Sequence, residues 1–212
     1  MFDLGGVIIT LDQPSAVRRF KELGLANAEE MLDPYCQHGI FGDLEQGAIS
    51  AETFRLELSK LVGRELTFDE CRYAWLGYAK EVPQRNLKLL EEQRRQGYRL
   101  LLLSNTNPYM MSWAMSKDFS LGPDGKDGRD GEGHALSDYM DACYLSYEMK
   151  VMKPEDIMFR KVLMTEKSFP YEVLFVDDGP RNVAVASQIG FRTFCPENGA
   201  DWTKEIFKYL ED

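Results

Sequence analysis

No stretch of this chain approaches the roughly 18 consecutive apolar residues that a membrane-spanning helix needs, so no membrane partner is expected. No basic segment followed by an apolar one opens the chain, as a secretory leader would; the first residues already read as structural sequence. Cys36, Cys71, Cys143 and Cys195 are scattered, without a Cys-x-x-Cys pair. They read as reduced thiols of a cytoplasmic protein rather than as a disulfide framework. Basic residues are in deficit as well. A net charge of −10 argues against nucleic acid as a partner, because a phosphate backbone selects basic surfaces. The same charge does not exclude a small phosphorylated ligand. A metal ion held by carboxylates can supply the positive charge that the side chains lack.

What remains is the composition of a folded soluble protein, 44% hydrophobic and 28% charged. At 212 residues it has the size of one large domain, or of one domain with an accessory lobe. Short apolar runs with abrupt polar ends occur at Met1–Asp3, Leu100–Asn105 and Val173–Asp178. Runs of this kind fit strands buried on both faces of a parallel sheet. Helical patterns separate them. Gln84–Gln96 is amphipathic and stops at Gly97. Pro154–Thr165 opens on proline and is expected to bury Ile157, Phe159 and Val162. Pro180–Ile189 ends at Gly190, before a further strand at Phe191–Phe194. The alternation predicts an α/β fold, a Rossmann-like parallel sheet flanked by helices.

Residues 14–82 break this rhythm and read as helices throughout. Phe54, Leu58, Leu61 and Val62 recur at helical spacing, and Thr67-x-x-Glu70 is a capping box. The expected organisation is a core of residues 1–13 and 83–212, with a small all-helical cap at 14–82 inserted after the first strand. Within the core, "GPDGKDGRDGEG" (Gly122–Gly133) has too few triplets for collagen, and its acids are wrongly spaced for a calcium loop. It reads as a mobile surface loop within an insertion at 116–137.

In sheets of this class ligands bind beyond the carboxyl ends of the strands. The residues ending the runs are Asp3, Ser104 with Asn105, and Asp177 with Asp178, and Lys153 can reach the same edge. A carboxylate, a hydroxyl beside a backbone amide, a lysine and a second acidic pair suit phosphoryl transfer. Each is bland alone: a turn acid, a helix cap, a surface lysine. Their order and context make the case.

Four segments, "FDLGGVI", "LLLLSNTNP", "MKPEDIMFRKVL" and "VLFVDDGPRNVAVASQIGFRTF", together resemble the haloacid dehalogenase-like hydrolase superfamily. The likeness extends to its small sugar-phosphate phosphatases with a helical cap. It implies a magnesium-dependent phosphatase of small phosphorylated metabolites, working through an aspartyl-phosphate intermediate. By that resemblance Asp3 is the nucleophile, and Ser104, Asn105 and Lys153 hold the phosphoryl group. Magnesium is held by Asp3, the Gly5 carbonyl and Asp178; Asp177 stands behind them, and Asn182 steadies Asp178. Two alternatives stand beside this reading: a phosphate- or partner-binding protein with little turnover, and a haloacid dehalogenase. The acidic pair argues against the dehalogenase, which needs no metal.

Many relatives carry a second aspartate two places after the nucleophile, as acid for the leaving group. Here that place is Gly5. Loss of such an acid typically costs about 10²–10⁴-fold. Either the leaving group needs little help, as an anomeric oxygen would, or Asp12 or a cap residue donates the proton, or turnover is weak. Only two residues precede Asp3, where a strand typically has about five or six, so the natural chain is expected to begin further upstream. Substrate choice should lie in the cap, where the loop Ile40–Ser50 offers Glu45 and Gln46 to sugar hydroxyls. Monomer and homodimer both remain open.

Overall fold

In the computed structural model, which describes residues 1–32, 38–125 and 132–210, the apolar runs become a parallel sheet. In chain order the elements are β1 (Thr10–Leu11), α1 (Gln13–Glu22), α2 (Ala28–Met31), α3 (Ile40–Glu45), α4 (Ala51–Val62), α5 (Phe68–Trp75), β2 (Ala79–Glu81) and α6 (Gln84–Arg95). They continue with β3 (Leu101–Ser104), α7 (Pro108–Ala114), β4 (Ala142–Leu145), α8 (Ser146–Met149), α9 (Asp156–Glu166), β5 (Leu174–Val176), α10 (Pro180–Ile189) and β6 (Arg192–Phe194). β3 pairs with β4 and β5 with β6, both in parallel. Phe2 bridges the two pairs, meeting Leu102 on one side and Val176 on the other. The opening segment therefore lies in the middle of the sheet, and Asp3 emerges at its centre.

Alternation along the strands explains why they are apolar on both faces. Phe2, Leu102, Val176 and Phe194 point into one buried cluster, with Leu87 and Leu90 of α6. Met1, Leu101, Leu103 and Phe175 point into the other, against Met158, Phe159 and Val162 of α9 and Ala186 of α10. The first cluster also runs into the helical block, so the block carries no apolar core of its own. Phe20, Phe41, Phe54 and Trp75 meet there, with ring centroids 5.1 Å apart for Phe20–Phe41 and Phe41–Phe54 and 5.6 Å for Phe20–Trp75. Tyr109 of α7 joins them, 5.7 Å from Phe54, and its hydroxyl donates to the Ala51 carbonyl at 2.7 Å. The capping box at Thr67 and Glu70 forms as its spacing predicts.

Several expectations need correction. The run Met1–Asp3 does pair on both sides, Phe2 N donating to the Leu101 carbonyl at 2.8 Å and Asp3 N to the Val176 carbonyl at 2.9 Å, although Phe2 alone forms the bridges. Residues 14–82 are not helical throughout: Ala79–Glu81 pairs antiparallel with Thr10–Leu11, closing the block at its base. The expected loop Ile40–Ser50 begins as helix α3, and Ser50 caps α4 through Thr53 N. Ile157 is exposed (45%), since it falls on the outer face of its helix. The α9 helix starts at Asp156, two residues after Pro154. The flanks of the expected insertion loop are anchored: Phe119 and Leu136 are fully buried, and His134 N donates to Ser120 Oγ at 2.7 Å. Residues 126–131 of that loop, and Cys36, lie outside the described residues.

Candidate active site

The sheet brings the carboxyl ends of the opening segment, β3 and β5 to one cavity of about 150 Å³. Asp3, Gly5, Ser104, Asn105, Lys153 and Asp178 line it from the sheet side; Glu45, Trp75 and Tyr78 close it from the helical block. Lys153 is the hub. Its ammonium, only 1% exposed, lies 2.6 Å from Asp177 Oδ2 and 3.0 Å from Asp3 Oδ1, and donates to the Leu103 carbonyl at 2.9 Å. Burial works against its charge, but Asp177 and Asp3 outweigh burial and hold its pKa above the ordinary lysine value. Asp3 Oδ1 also accepts from Leu4 N at 2.7 Å, which leaves Oδ2 uncommitted among the described residues.

Asn105 does not spend its side chain on a ligand. Its Oδ1 accepts from Lys153 N at 2.8 Å and its Nδ2 donates to the Lys153 carbonyl at 2.9 Å. It clasps the lysine backbone to the end of β3. Ser104 Oγ makes only a long contact, 3.4 Å, to the Asn105 carbonyl, so its hydroxyl is nearly free. Asp177 is fully buried and both its oxygens are engaged. Oδ2 meets Lys153, while Oδ1 accepts from Gly179 N at 2.8 Å and Asn182 Nδ2 at 2.9 Å. It is a support for the lysine rather than a free metal ligand, and Asn182 steadies Asp177, not Asp178.

The donor set nonetheless fits a divalent cation. Asp3, Asp177 and Asp178 each offer an oxygen within 4.8 Å of the others. One lysine faces three carboxylates, and the two with open oxygens show the strain. Burial pushes Asp178 up to about 7, with Asp3 and Asp177 adding to the effect; burial likewise lifts Asp3 to about 6 against the pull of Lys153. A hard cation with oxygen ligands would relieve both. The glycine pair is now explained. At Gly6 (φ +70°) a Cβ would stand 2.0 Å from Asp178 Oδ2, so only glycine lets this turn lie against the carboxylate. Gly5 has no such backbone angle. A Cβ there would meet Leu11 Cδ1 at 2.9 Å, so the leucine side chain lies in the space that an acid at residue 5 would enter and would have to shift to admit it. Asn86 Nδ2 and Trp202 Nε1 hold the rest of the turn through the Val7 carbonyl, at 2.9 and 3.0 Å.

Glu45 lies in the cavity wall as expected, at the end of α3, but Gln46 is exposed and outside the lining. Burial pushes the Glu45 carboxyl from about 4.5 up to about 7, against the nearby Asn107 amide. That amide favours the ionised carboxyl, and burial outweighs it. Trp75, Tyr78, Met110 and Leu11 also line the site, and sequence reasoning missed them. Their apolar spacing marks a helix or strand face and says nothing about which cavity it meets.

The raised Glu45 carboxyl has a consequence for stability. Between about pH 4.5 and 7 the folded state keeps a proton that the unfolded chain has released, so its contribution falls as pH rises through that window. Glu45→Gln should therefore stabilise the protein at pH 8 relative to pH 5, by at most on the order of 3 kcal/mol. Thermal melts of both proteins at the two pH values measure it; a difference that does not grow with pH would count against a carboxyl buried at this position.

Residues 1–190 match the family model described as haloacid dehalogenase-like hydrolase. Over 206 residues, 97% of this chain and 95% of the relative, the sequence is 46% identical to the D-ribitol-5-phosphate phosphatase of Bacteroides thetaiotaomicron. A predicted HAD-like family hydrolase from Porphyromonas gingivalis superposes with a TM-score of 0.89 at 42% identity, covering 100% of this chain and 96% of that one. A HAD family enzyme from Bacteroides thetaiotaomicron, crystallised as wild-type protein with magnesium and inorganic phosphate, superposes with a TM-score of 0.83 at 33% identity over 96% of each chain.

Proposed function

The chain belongs to the haloacid dehalogenase-like hydrolase family, and from that premise we propose that it is a magnesium-dependent phosphatase of small sugar and sugar-alcohol phosphates. The observation that carries the reading is the convergence of Asp3, Ser104, Lys153 and Asp178 on one cavity closed by the helical block. The 46% identity to a pentitol-phosphate phosphatase supports the substrate class. An enzyme of this kind would work in the cytoplasm, in keeping with the free thiols of Cys71, Cys143 and Cys195.

In this reading the phosphoryl group sits between Asp3 and the ends of β3 and β5. Ser104 Oγ donates to its oxygens, and the Lys153 ammonium, shared with Asp3 and Asp177, stands beside them as the buried cation. Asp3 attacks phosphorus, the bond to the sugar oxygen breaks, and a phospho-aspartate forms; water then releases phosphate and restores the carboxylate. Asp3 and Asp178, with the Gly5 carbonyl, would hold magnesium, which when bound draws charge from the phosphoryl oxygens and offsets the carboxylates. Lys153, held by Asp177 and Asn105, keeps Asp3 ionised and in place. The apolar wall of Ile9, Leu11 and Trp75 keeps bulk water from the reacting centre.

A panel of phosphomonoesters, assayed with magnesium and with chelator, tests this. Pentitol and sugar phosphates should release phosphate only with metal. Release from none of them, or metal-independent chloride release from a chloro-acid, would remove the proposal.

A further inference from the structure

If the site hydrolyses an ester of a sugar or sugar alcohol, the departing oxygen is a poor leaving group and needs a proton. Residue 5 cannot provide it, because Gly5 has no side chain and Leu11 occupies the space beside it. Asp12 cannot either: its carboxylate caps α1 by accepting from Ser15 N at 3.1 Å, and it does not line the cavity. Among the described residues, the acids that line the cavity are Asp3, Asp178 and Glu45. The first is assigned to attack and the second to metal. Glu45 enters from the opposite wall, with the helical block, where the sugar portion must lie.

Its placement is built rather than incidental. Glu45 is 9% exposed. Its carbonyl accepts from Ser146 Oγ at 2.6 Å, and the same hydroxyl accepts from Thr106 N at 3.0 Å. Lys150 Nζ donates to the Gly47 carbonyl at 2.6 Å, two residues on. The end of α3 is thus tied through α8 to the loop that follows Ser104, so the position of Glu45 is locked to that of the phosphoryl-binding residues. No salt bridge to Glu45 is formed among the described residues; burial, with the charge of Asp3 adding to it, outweighs the pull of the neighbouring Asn107 amide toward the ionised form. A carboxyl buried in this way is held in its neutral, proton-carrying form up to about neutral pH.

Resting on the phosphatase reading above, we propose that Glu45 is the general acid of this enzyme, supplying from the helical block the proton that residue 5 does not. As the Asp3 oxygen–phosphorus bond forms, the bond from phosphorus to the sugar oxygen breaks. The Glu45 proton passes to that oxygen, and the alcohol leaves neutral. The resulting Glu45 carboxylate then takes a proton from the water that attacks the phospho-aspartate, which returns both side chains to their starting states.

The test uses the magnesium-loaded wild-type enzyme, Glu45→Gln and Glu45→Asp on alkyl and aryl phosphates of graded leaving-group pKa, with ribitol 5-phosphate and p-nitrophenyl phosphate at the ends. Glutamine keeps the shape and removes the proton. Its kcat/KM on ribitol 5-phosphate should fall by about 10²–10⁴-fold, and on p-nitrophenyl phosphate should barely change, so that the leaving-group dependence steepens. Aspartate should recover part of the loss. A parallel fall on all substrates, an unchanged slope, or an aspartate variant no better than glutamine would overturn the proposal and leave Glu45 a binding residue. Absence of any turnover by wild type would instead defeat the phosphatase reading itself, and this proposal with it.

Discussion

Asp3→Asn is expected to lower phosphate release by about 10⁴-fold or more while leaving the protein folded. The substitution removes the attacking oxygen's charge and almost nothing else. An asparagine Oδ1 can still accept from Leu4 N and from Lys153, the bonds that set the orientation of the side chain, at 2.7 and 3.0 Å in the aspartate. The backbone bonds that seat residue 3 in the sheet are untouched, including Asp3 N to the Val176 carbonyl at 2.9 Å. The measurement is single-turnover phosphate release with magnesium, beside a thermal melt. A folded Asp3→Asn protein that retained a tenth of wild-type turnover would exclude Asp3 as the nucleophile. Trapping of radiolabelled phosphate on the wild-type chain, lost in the variant, would tie the intermediate to this side chain.

The second large effect is on stability. Lys153→Met should destabilise the protein by about 3–5 kcal/mol in addition to abolishing turnover. The methionine fills the volume but leaves Asp177, which is 0% exposed, without its cation, and the Leu103 carbonyl without its donor. With a shift of about 2–4 °C per kcal/mol in a chain of this size, the melting temperature should fall by roughly 10 °C. The origin of the loss is checked by a second substitution. Asp177→Asn removes the stranded charge, so the double variant should be clearly more stable than the sum of the two single losses implies. Strict additivity would show that the pair is not coupled and that Lys153 contributes by packing alone.

These two side chains illustrate how far the sequence reaches. Asp3 is legible because an acid that ends an apolar run, just before a glycine turn, stands at the edge of a parallel sheet where ligands bind. Lys153 is legible only in company: a lone lysine before a proline is ordinary, and its weight comes from the strand ends around it. Asn105 belongs to the site, but in a different duty from the one its neighbour Ser104 suggests. Both ends of its amide bind the Lys153 backbone, 48 residues away, and neither is left for a ligand. Asn182 likewise serves Asp177 rather than Asp178, since both acids lie in the turn after β5 and only the fold shows which one faces α10. Glu45 and Gln46 look alike in a polar, glycine-rich stretch. A short helix turns one inward and the other to solvent.

By itself, then, the sequence determined the alternation of strands and helices, the helical block and the order of the reactive groups, because those rest on local periodicity and on which residue types end a buried strand. Tertiary structure alone decided that Leu11 closes the space beside Gly5, that Ser146 ties α3 to the phosphoryl-binding loop, and that Glu45 faces Asp3 across one cavity. Those features depend on contacts between segments far apart in the chain. No local pattern encodes the direction in which a side chain meets a wall contributed by another element.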